Sequence, residues 1–225
     1  MGPYAKEELL ACVIARVVGE ARHAAIGASS PIPATGMYLL KQRVPGLRIS
    51  LQQKRAANPF SEGSRELFDL AGQGRIDVFF LGGAQIDGSG AINLVQADGR
   101  RFPGSFGSAY MYPVVPKVVL FREEHSRRTL VPRVDFVSAR GTPLALLTGR
   151  ALFSWQKDRF RLESFHDGES LDSIRQNTGF DYEVAGNAKQ TAPPTDADLG
   201  LLRGPVARQV APDYPDFAKR VWGIN

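Results

Sequence analysis

The chain has 225 residues, 43% hydrophobic and 23% charged, with a formal net charge of +5 and one cysteine. That is material for one globular domain with a real core, read here as a single domain over residues 1–225, and no apolar run reaches the roughly 18 residues of a membrane helix. One cysteine closes no internal disulfide and shares no metal with a second thiol, and the arginine pairs 100/101, 127/128 and 159/161 lack the aromatic interleaving of a nucleic-acid surface.

Leu9, Leu10, Val13, Ile14 and Val17 recur at helical spacing, which predicts an amphipathic helix over 4–18, with Pro3 at its start and an end near Gly19. Cys12 falls in register with these residues and reads as core. Glu7 and Glu8 stand where a secretory leader would be cationic or apolar, so the expected location is cytoplasmic. Short apolar runs at 23–28, 47–52 and 77–83 alternate with helical patterns at 34–43 and 63–72. This rhythm predicts an α/β fold, an open and mostly parallel sheet with helices on both faces. Further strands are predicted at 117–121, 134–138, 144–149 and 160–165 without long helices between them, so the C-terminal half is expected to be mixed. A short helix stopped at Gly179, a linker-like loop over 186–195 and a helix capped by Thr195 through Arg203 complete the pattern.

In an open parallel sheet, ligands bind beyond the carboxyl ends of the strands. Three segments follow strands in this way. In GASSPIPATG (27–36), Ser29, Ser30 and two prolines form a rigid turn whose amides and hydroxyls suit an anion or a carbonyl; it lacks the lysine and spacing of a phosphate-binding loop. In GGAQIDGSGAINL (82–94), Gly82, Gly83 and Gln85 either let a ligand approach the backbone or belong to a plain hairpin with packing glycines, turning at 87–90. In RRFPGSFGSAY (100–110), the turn through Ser105, Phe106 and Gly107 is rich in N–H donors, and Arg100 and Arg101 beside it favour an anion. No histidine has metal-ligand spacing, and no metal is expected. His23 and His166 read as structural. His125 reads either as a surface or supporting histidine or as a general base, while Glu123 and Glu124 beside Arg127 and Arg128 read as an ordinary ion-pair cluster.

Together these segments resemble the beta subunit of the class I CoA-transferases, the 3-oxoacid, 3-oxoadipate and glutaconate CoA-transferases. FFLGGAQIDGSGAINL is similar to that family's G-G-A-Q-[IV]-D…G-N-[IL]-N motif, RRFPGSFGSA to its Pro-Gly-rich loop, and REEHSRRTLVPRVDFVSARG to its His…Arg-Thr…Val-Asp-Phe segment. FHDGESLDSIRQNTGF is similar to its closing His-Pro-Gly…Thr-Gly-Phe, with Asp167 in place of the proline. The resemblance implies a subunit that pairs with a homologous alpha subunit, a coenzyme A thioester as substrate, no permanently bound cofactor, and an active site in the cleft between subunits. Ser29, Ser30, Gly82, Gly83, Gln85, Ser105, Phe106 and Gly107 would then hold the acyl group or its oxyanion, and Arg100 and Arg101 the CoA phosphates. Phe106, Tyr110 and Tyr112 are expected to be partly bare on the unpaired chain.

One departure stands out. The transferases carry CoA on a beta-subunit glutamate just after the second strand, and here that place reads Gln52, Gln53, Lys54. An amide is not a nucleophile of that kind. Glu62 is the nearest carboxylate and reads either as that nucleophile displaced or as a helix N-terminal acid. The pattern is most similar to a branch of hydrolases that open the last steroid rings as CoA thioesters, in which the alpha subunit supplies the glutamate. Three functions remain open: a hydrolase subunit acting on a cyclic keto acyl-CoA, an acyl-CoA:carboxylate CoA-transferase subunit, and a non-catalytic acyl-CoA sensor or scaffold.

Overall fold

The structure, a computed structural model, describes residues 3–53, 60–97 and 99–224. The fold is mixed α/β, with a large, mostly parallel sheet and helices. It divides into two compact units, Met1–Val78 with Ala192–Asn225, and Phe79–Thr191.

The first unit opens with α1 (Lys6–Val18), then β1 (His23–Ile26), α2 (Pro31–Arg43), β2 (Arg48–Leu51) and α3 (Ser64–Gly72). At the start of α1 the Glu8 carboxylate reaches back to the Ala5 N–H, and Gly19 ends it at φ 60. Cys12 is buried in this helix, and burial pushes its thiol up to about 11. Strands β1 and β2 run parallel, with Ile26 opposite Leu51, and all four residues of β1 are buried. Helix α2 lies close on α1 at Gly36, where a Cβ would stand 2.6 Å from Ile14 Cγ2.

Strand β3 (Val78–Leu81) starts at the last residue of the first unit's opening segment, and β4 (Gln85–Asp87), β5 (Ile92–Asn93), β6 (Gln96–Ala97) and β7 (Arg100–Arg101) follow it in the second unit. Then come α4 (Ser108–Val114), β8 (Lys117–Arg122), β9 (Leu130–Val131), β10 (Ala145–Thr148), β11 (Ala151–Gln156), β12 (Arg159–Phe165), α5 (Leu171–Asn177) and β13 (Glu183–Gln190). Its sheet runs in the order β13-β12-β11-β10-β8-β3. The pairs β8/β10 and β12/β13 are parallel, whereas β10/β11 and β11/β12 are antiparallel. The expected mixture in this half of the chain is present. A small sheet β5-β4-β9 stands apart.

Two expectations fail here. Residues 134–138 form no strand, because the Val134 and Asp135 N–H groups donate to the side chains of Asp87 and Gln85 instead of to a ladder. The stretch expected as a loop over 186–195 contains most of β13, an outer strand of the order whose residues are largely exposed on both faces. Without a buried face it shows no apolar alternation.

The chain returns to the first unit with α6 (Asp196–Leu201), capped by the Thr195 hydroxyl, which accepts from the Asp198 N–H at 3.1 Å. A π-helical stretch, Leu202–Val206, contains Pro205, whose missing N–H interrupts the ordinary ladder; α7 (Ala207–Val210) and α8 (Pro215–Trp222) follow. Glu8, 1% exposed, ties this segment to α1: it accepts from Arg203 Nε at 2.8 Å, Arg203 Nη2 at 2.9 Å and Trp222 Nε1 at 3.3 Å. Burial pushes this carboxyl up, but the bonds from Arg203, Ala5 and Trp222 outweigh it and hold it below its ordinary value.

Candidate active site

In the first unit, the carboxyl ends of β1 and β2 lie side by side, and the Gln52 N–H donates to the Ile26 carbonyl at 3.0 Å. The turn between β1 and α2 passes through Ser29 at φ 57, a left-handed conformation costly for a residue with a Cβ. Its N–H donates to Gln53 Oε1 at 3.1 Å. The side chain after β2 is thus an amide accepting from the Ser29 turn. Ser30 donates its hydroxyl to the Ala28 carbonyl at 3.2 Å, and the neighbouring Gln52 Nε2 is buried with no partner among the described residues. Lys54 lies outside the described residues. Glu62 is exposed; the carboxylate that closes the start of α3 is Glu66, which accepts from the Ser61 hydroxyl and the Glu62 N–H.

In the second unit, the segment 82–93 folds as the expected hairpin, with β4 and β5 antiparallel. Its polar residues face inward. Gln85 Oε1 accepts from Asn93 Nδ2 at 2.8 Å and from the Asp135 N–H at 3.0 Å, and Gln85 Nε2 donates to Asp135 Oδ2 at 3.0 Å. Asp87 Oδ1 accepts from the Ser89 N–H, the Ser89 hydroxyl and the Ala91 N–H, while Oδ2 accepts from the Val134 N–H. Gln85, Asp87 and Asn93 are all buried. These residues clasp segment 134–135 onto the hairpin. Gly83 fits the same scheme, since a Cβ there would stand 2.6 Å from the Gln85 carbonyl oxygen, and one at Gly82 would stand 3.2 Å from that of Phe121. The packing reading of this glycine pair therefore has a direct geometric basis.

The loop before α4 differs. Gly104 at φ 109 has open space where a side chain would stand, and Phe106 holds φ 45 with 74% of its surface exposed. Ser105 accepts through its carbonyl from the Ser108 N–H at 2.8 Å, and Gly107 is the residue that caps α4. Tyr110 is exposed as expected, but Tyr112 is buried, its hydroxyl donating to the Gly90 carbonyl at 2.9 Å. Arg100 and Arg101 sit exposed on β7, paired with β6.

His125 is buried rather than at the surface. Its Nε2 lies 3.0 Å from Thr178 Oγ1 and its Nδ1 2.8 Å from Thr148 Oγ1. The Thr178 hydroxyl donates to the Ile174 carbonyl, so it accepts from Nε2–H; the Thr148 hydroxyl accepts from the Arg150 and Ala151 N–H groups and has one proton to share between the Ala151 carbonyl at 3.2 Å and the closer, unprotonated Nδ1 at 2.8 Å. Burial, with Arg150 and His166 nearby, lowers the imidazole to about 4. This residue joins the end of α5 to β10 as a neutral ring. His23 and His166 are likewise buried and hydrogen-bonded, His23 to Ser50 and the Arg75 carbonyl, His166 to Thr191 and the Thr148 carbonyl. The partners missed from sequence, Asp135, Thr148 and Thr178, are polar residues tens of positions from the groups they meet, which no local pattern signals. Of the expected ion-pair cluster, Glu124 pairs with Arg128 and also with Arg122, whereas Glu123 and Arg127 form no ion pair among the described residues and Arg127 donates to the Gln176 carbonyl instead. Among the described residues, no helix is long and apolar enough to cross a membrane.

Comparison with known proteins bears on the family and the fold. Residues 10–142 match the family described as Coenzyme A transferase. The B subunit of the 3-oxoadipate CoA-transferase of Pseudomonas knackmussii is 26% identical, over 94% of this chain and 96% of its own. Among solved structures, a cysteine-to-serine variant of the decarboxylase AibA/AibB is 25% identical with a TM-score of 0.77, covering 88% of this chain and 94% of its own. IpdAB of Rhodococcus jostii RHA1 shares the fold at 22% identity and a TM-score of 0.75, over 90% of this chain and 94% of its own.

Proposed function

Because the chain belongs to the coenzyme A transferase family, as a beta-type subunit of enzymes that act on CoA thioesters, we propose that it works with a homologous alpha subunit in the cytoplasm to open, by hydrolysis, a ring of a cyclic keto acyl-CoA of the kind met in steroid breakdown. One observation carries this reading. After β2, where a transferase of this family keeps its glutamate, Gln53 accepts a hydrogen bond from the Ser29 N–H at 3.1 Å. A carboxamide there forms no acyl anhydride and stores no CoA between two substrates. Hydrolysis needs no such store. Water oxygen bonds to the ring carbonyl carbon, the ring C–C bond breaks with its electron pair on the leaving carbon, and that carbon takes a proton as the other fragment becomes a carboxylate. In this reading the partner supplies the base, while backbone N–H groups of the open loop at 104–107 contribute donors to the oxyanion, each typically worth about 3 to 4 kcal/mol in the transition state.

The test is product analysis with the assembled pair of subunits. A ring-ketone acyl-CoA should give a ring-opened acid with one oxygen-18 from labelled water. Transfer is the second reading, favoured by the relative that matches 94% of this chain and is named a CoA-transferase; steady exchange of CoA between two carboxylic acids would establish it and overturn hydrolysis. Release of carbon dioxide without ring opening would instead align the chain with the decarboxylase, and binding of acyl-CoA without turnover would make it a sensor.

A further inference from the structure

Three segments of the second unit that are distant in sequence, 87–89, 132–140 and 179–181, line an open cavity of about 470 Å³. Its wall is rigid. Asp87 meets four protein donors, a Cβ on Gly88 would stand 3.0 Å from Phe180 Cβ, and one on Gly179 would strike the Leu130 carbonyl oxygen. Into this fixed frame come two arginines, Arg133 and Arg140, that form no ion pair or hydrogen bond among the described residues. Elsewhere in the chain arginines are commonly paired, as Arg22 is with Asp77, Arg128 with Glu124 and Arg161 with Glu163. The exposed Asp181 also lines the cavity and forms no bond among the described residues, so it keeps acceptor capacity that the buried Asp87 has largely used. The same 179–181 segment also lines a second hollow of about 270 Å³, which adds Arg127 and Arg175.

We infer that this cavity is a binding site for a phosphorylated sugar. The two unpaired guanidiniums take the phosphate, each offering donors in a planar fork, and Asp181 accepts from neighbouring sugar hydroxyls. Inorganic anions would use only the first half of this arrangement. The volume is within the roughly 300–1,000 Å³ of small-molecule sites. The phosphoribose of a CoA substrate and a free sugar phosphate share this chemistry. The assignment stands whichever reaction the enzyme performs.

Calorimetric titration of the full chain with adenosine 3′,5′-bisphosphate, ribose 5-phosphate and pyrophosphate, at two salt concentrations, tests it. At least one phosphoribose probe should bind, more weakly at the higher salt, and Arg133→Ala and Arg140→Ala should each weaken it by about tenfold or more. Asp181→Asn should weaken the phosphoribose probe and leave pyrophosphate nearly unchanged. Binding of the bisphosphate alone identifies the CoA end as the source, and binding of ribose 5-phosphate alone identifies a free sugar phosphate. No binding of either phosphoribose probe, or wild-type affinity in both arginine variants, overturns the inference. So does an equal loss of pyrophosphate binding in Asp181→Asn. Unaltered thermal unfolding of the variants, all at exposed positions, separates lost binding from lost fold.

Discussion

Between Gly82 and Gly90 the glycines face protein: the carbonyl of Phe121, the carbonyl of Gln85, the Phe180 side chain and the Trp155 ring lie within 3.4 Å of where their side chains would be. At Gly104 there is nothing within 4 Å, and two residues on Phe106 stands 74% exposed in a left-handed conformation. Both stretches are rich in glycine and small polar residues, yet one is a clasp closed on itself and the other an open, strained loop. The difference shows that a glycine pair after a strand is explained by what its missing side chain would strike. At Gly83 that is the chain's own backbone. The loop at 104–107, and the serine turn at Ser29 with its own positive φ, keep conformational cost at the surface, where strain is commonly retained for function.

Removing the centre of the clasp should have the largest effect. Asp87→Ala leaves three N–H groups and a hydroxyl without their acceptor, and urea unfolding should show a loss of about 3 to 5 kcal/mol. A loss below about 1 kcal/mol would mean that the clasp is not a unit. Acid should act through another buried group of the same unit. His125 in the fold titrates near 4, below the ordinary 6.5, so folding favours its neutral form. Its contribution is whole above pH 6.5 and is lost as pH falls from there to about 4, a decline of about 3 kcal/mol at most. His125→Gln should flatten that part of a stability-versus-pH curve. Unchanged slope would assign the acid sensitivity to other groups, such as Glu8, whose lowered carboxyl makes its own contribution fade further down, below the ordinary glutamate range.

Gly83→Ala should cost about 1 to 3 kcal/mol in the same urea experiment, because the atom a Cβ would strike at 2.6 Å is backbone and cannot swing aside. The smallest effect on stability belongs to the open loop. Phe106→Ala should change unfolding by less than about 0.5 kcal/mol, while turnover of the assembled enzyme falls at least about tenfold as acyl-CoA contacts or subunit packing are lost. Equal stability losses at Gly83 and Phe106 would erase the distinction between the two stretches.

Much of this was legible in the sequence for definite reasons. Helix α1, the alternation through β3 and the hairpin turn at 87–90 follow from periodicity and from turn residues whose partners are local. Asp87 with Ser89 and Ala91 is such a case. What was not legible depends on partners far away. Asp135 pairs with Gln85, 50 positions off, and so a run with strand composition at 134–138 gives its N–H groups to side chains. His125 shows the same limit, since polar surroundings in the sequence concealed its burial between two threonines. Strand β13 lacks a buried face and so lacks a signal. At the candidate site, the sequence shows Gln52, Gln53 and Lys54 where the family resemblance leads one to expect a carboxylate, but not the hydrogen bond of Gln53 to the Ser29 turn.

The central claim of the proposed function is that this chain carries no CoA-bearing carboxylate, and covalent trapping tests it most directly. The assembled enzyme is incubated with acyl-CoA, reduced with borohydride and digested, and the peptides of this chain are weighed. No peptide of this chain, including the one bearing Glu62, should change in mass, and Gln53→Glu alone should not create CoA exchange. A carboxylate of this chain reduced to its alcohol, or found carrying CoA, would contradict the account and restore this subunit as the carrier of a transferase.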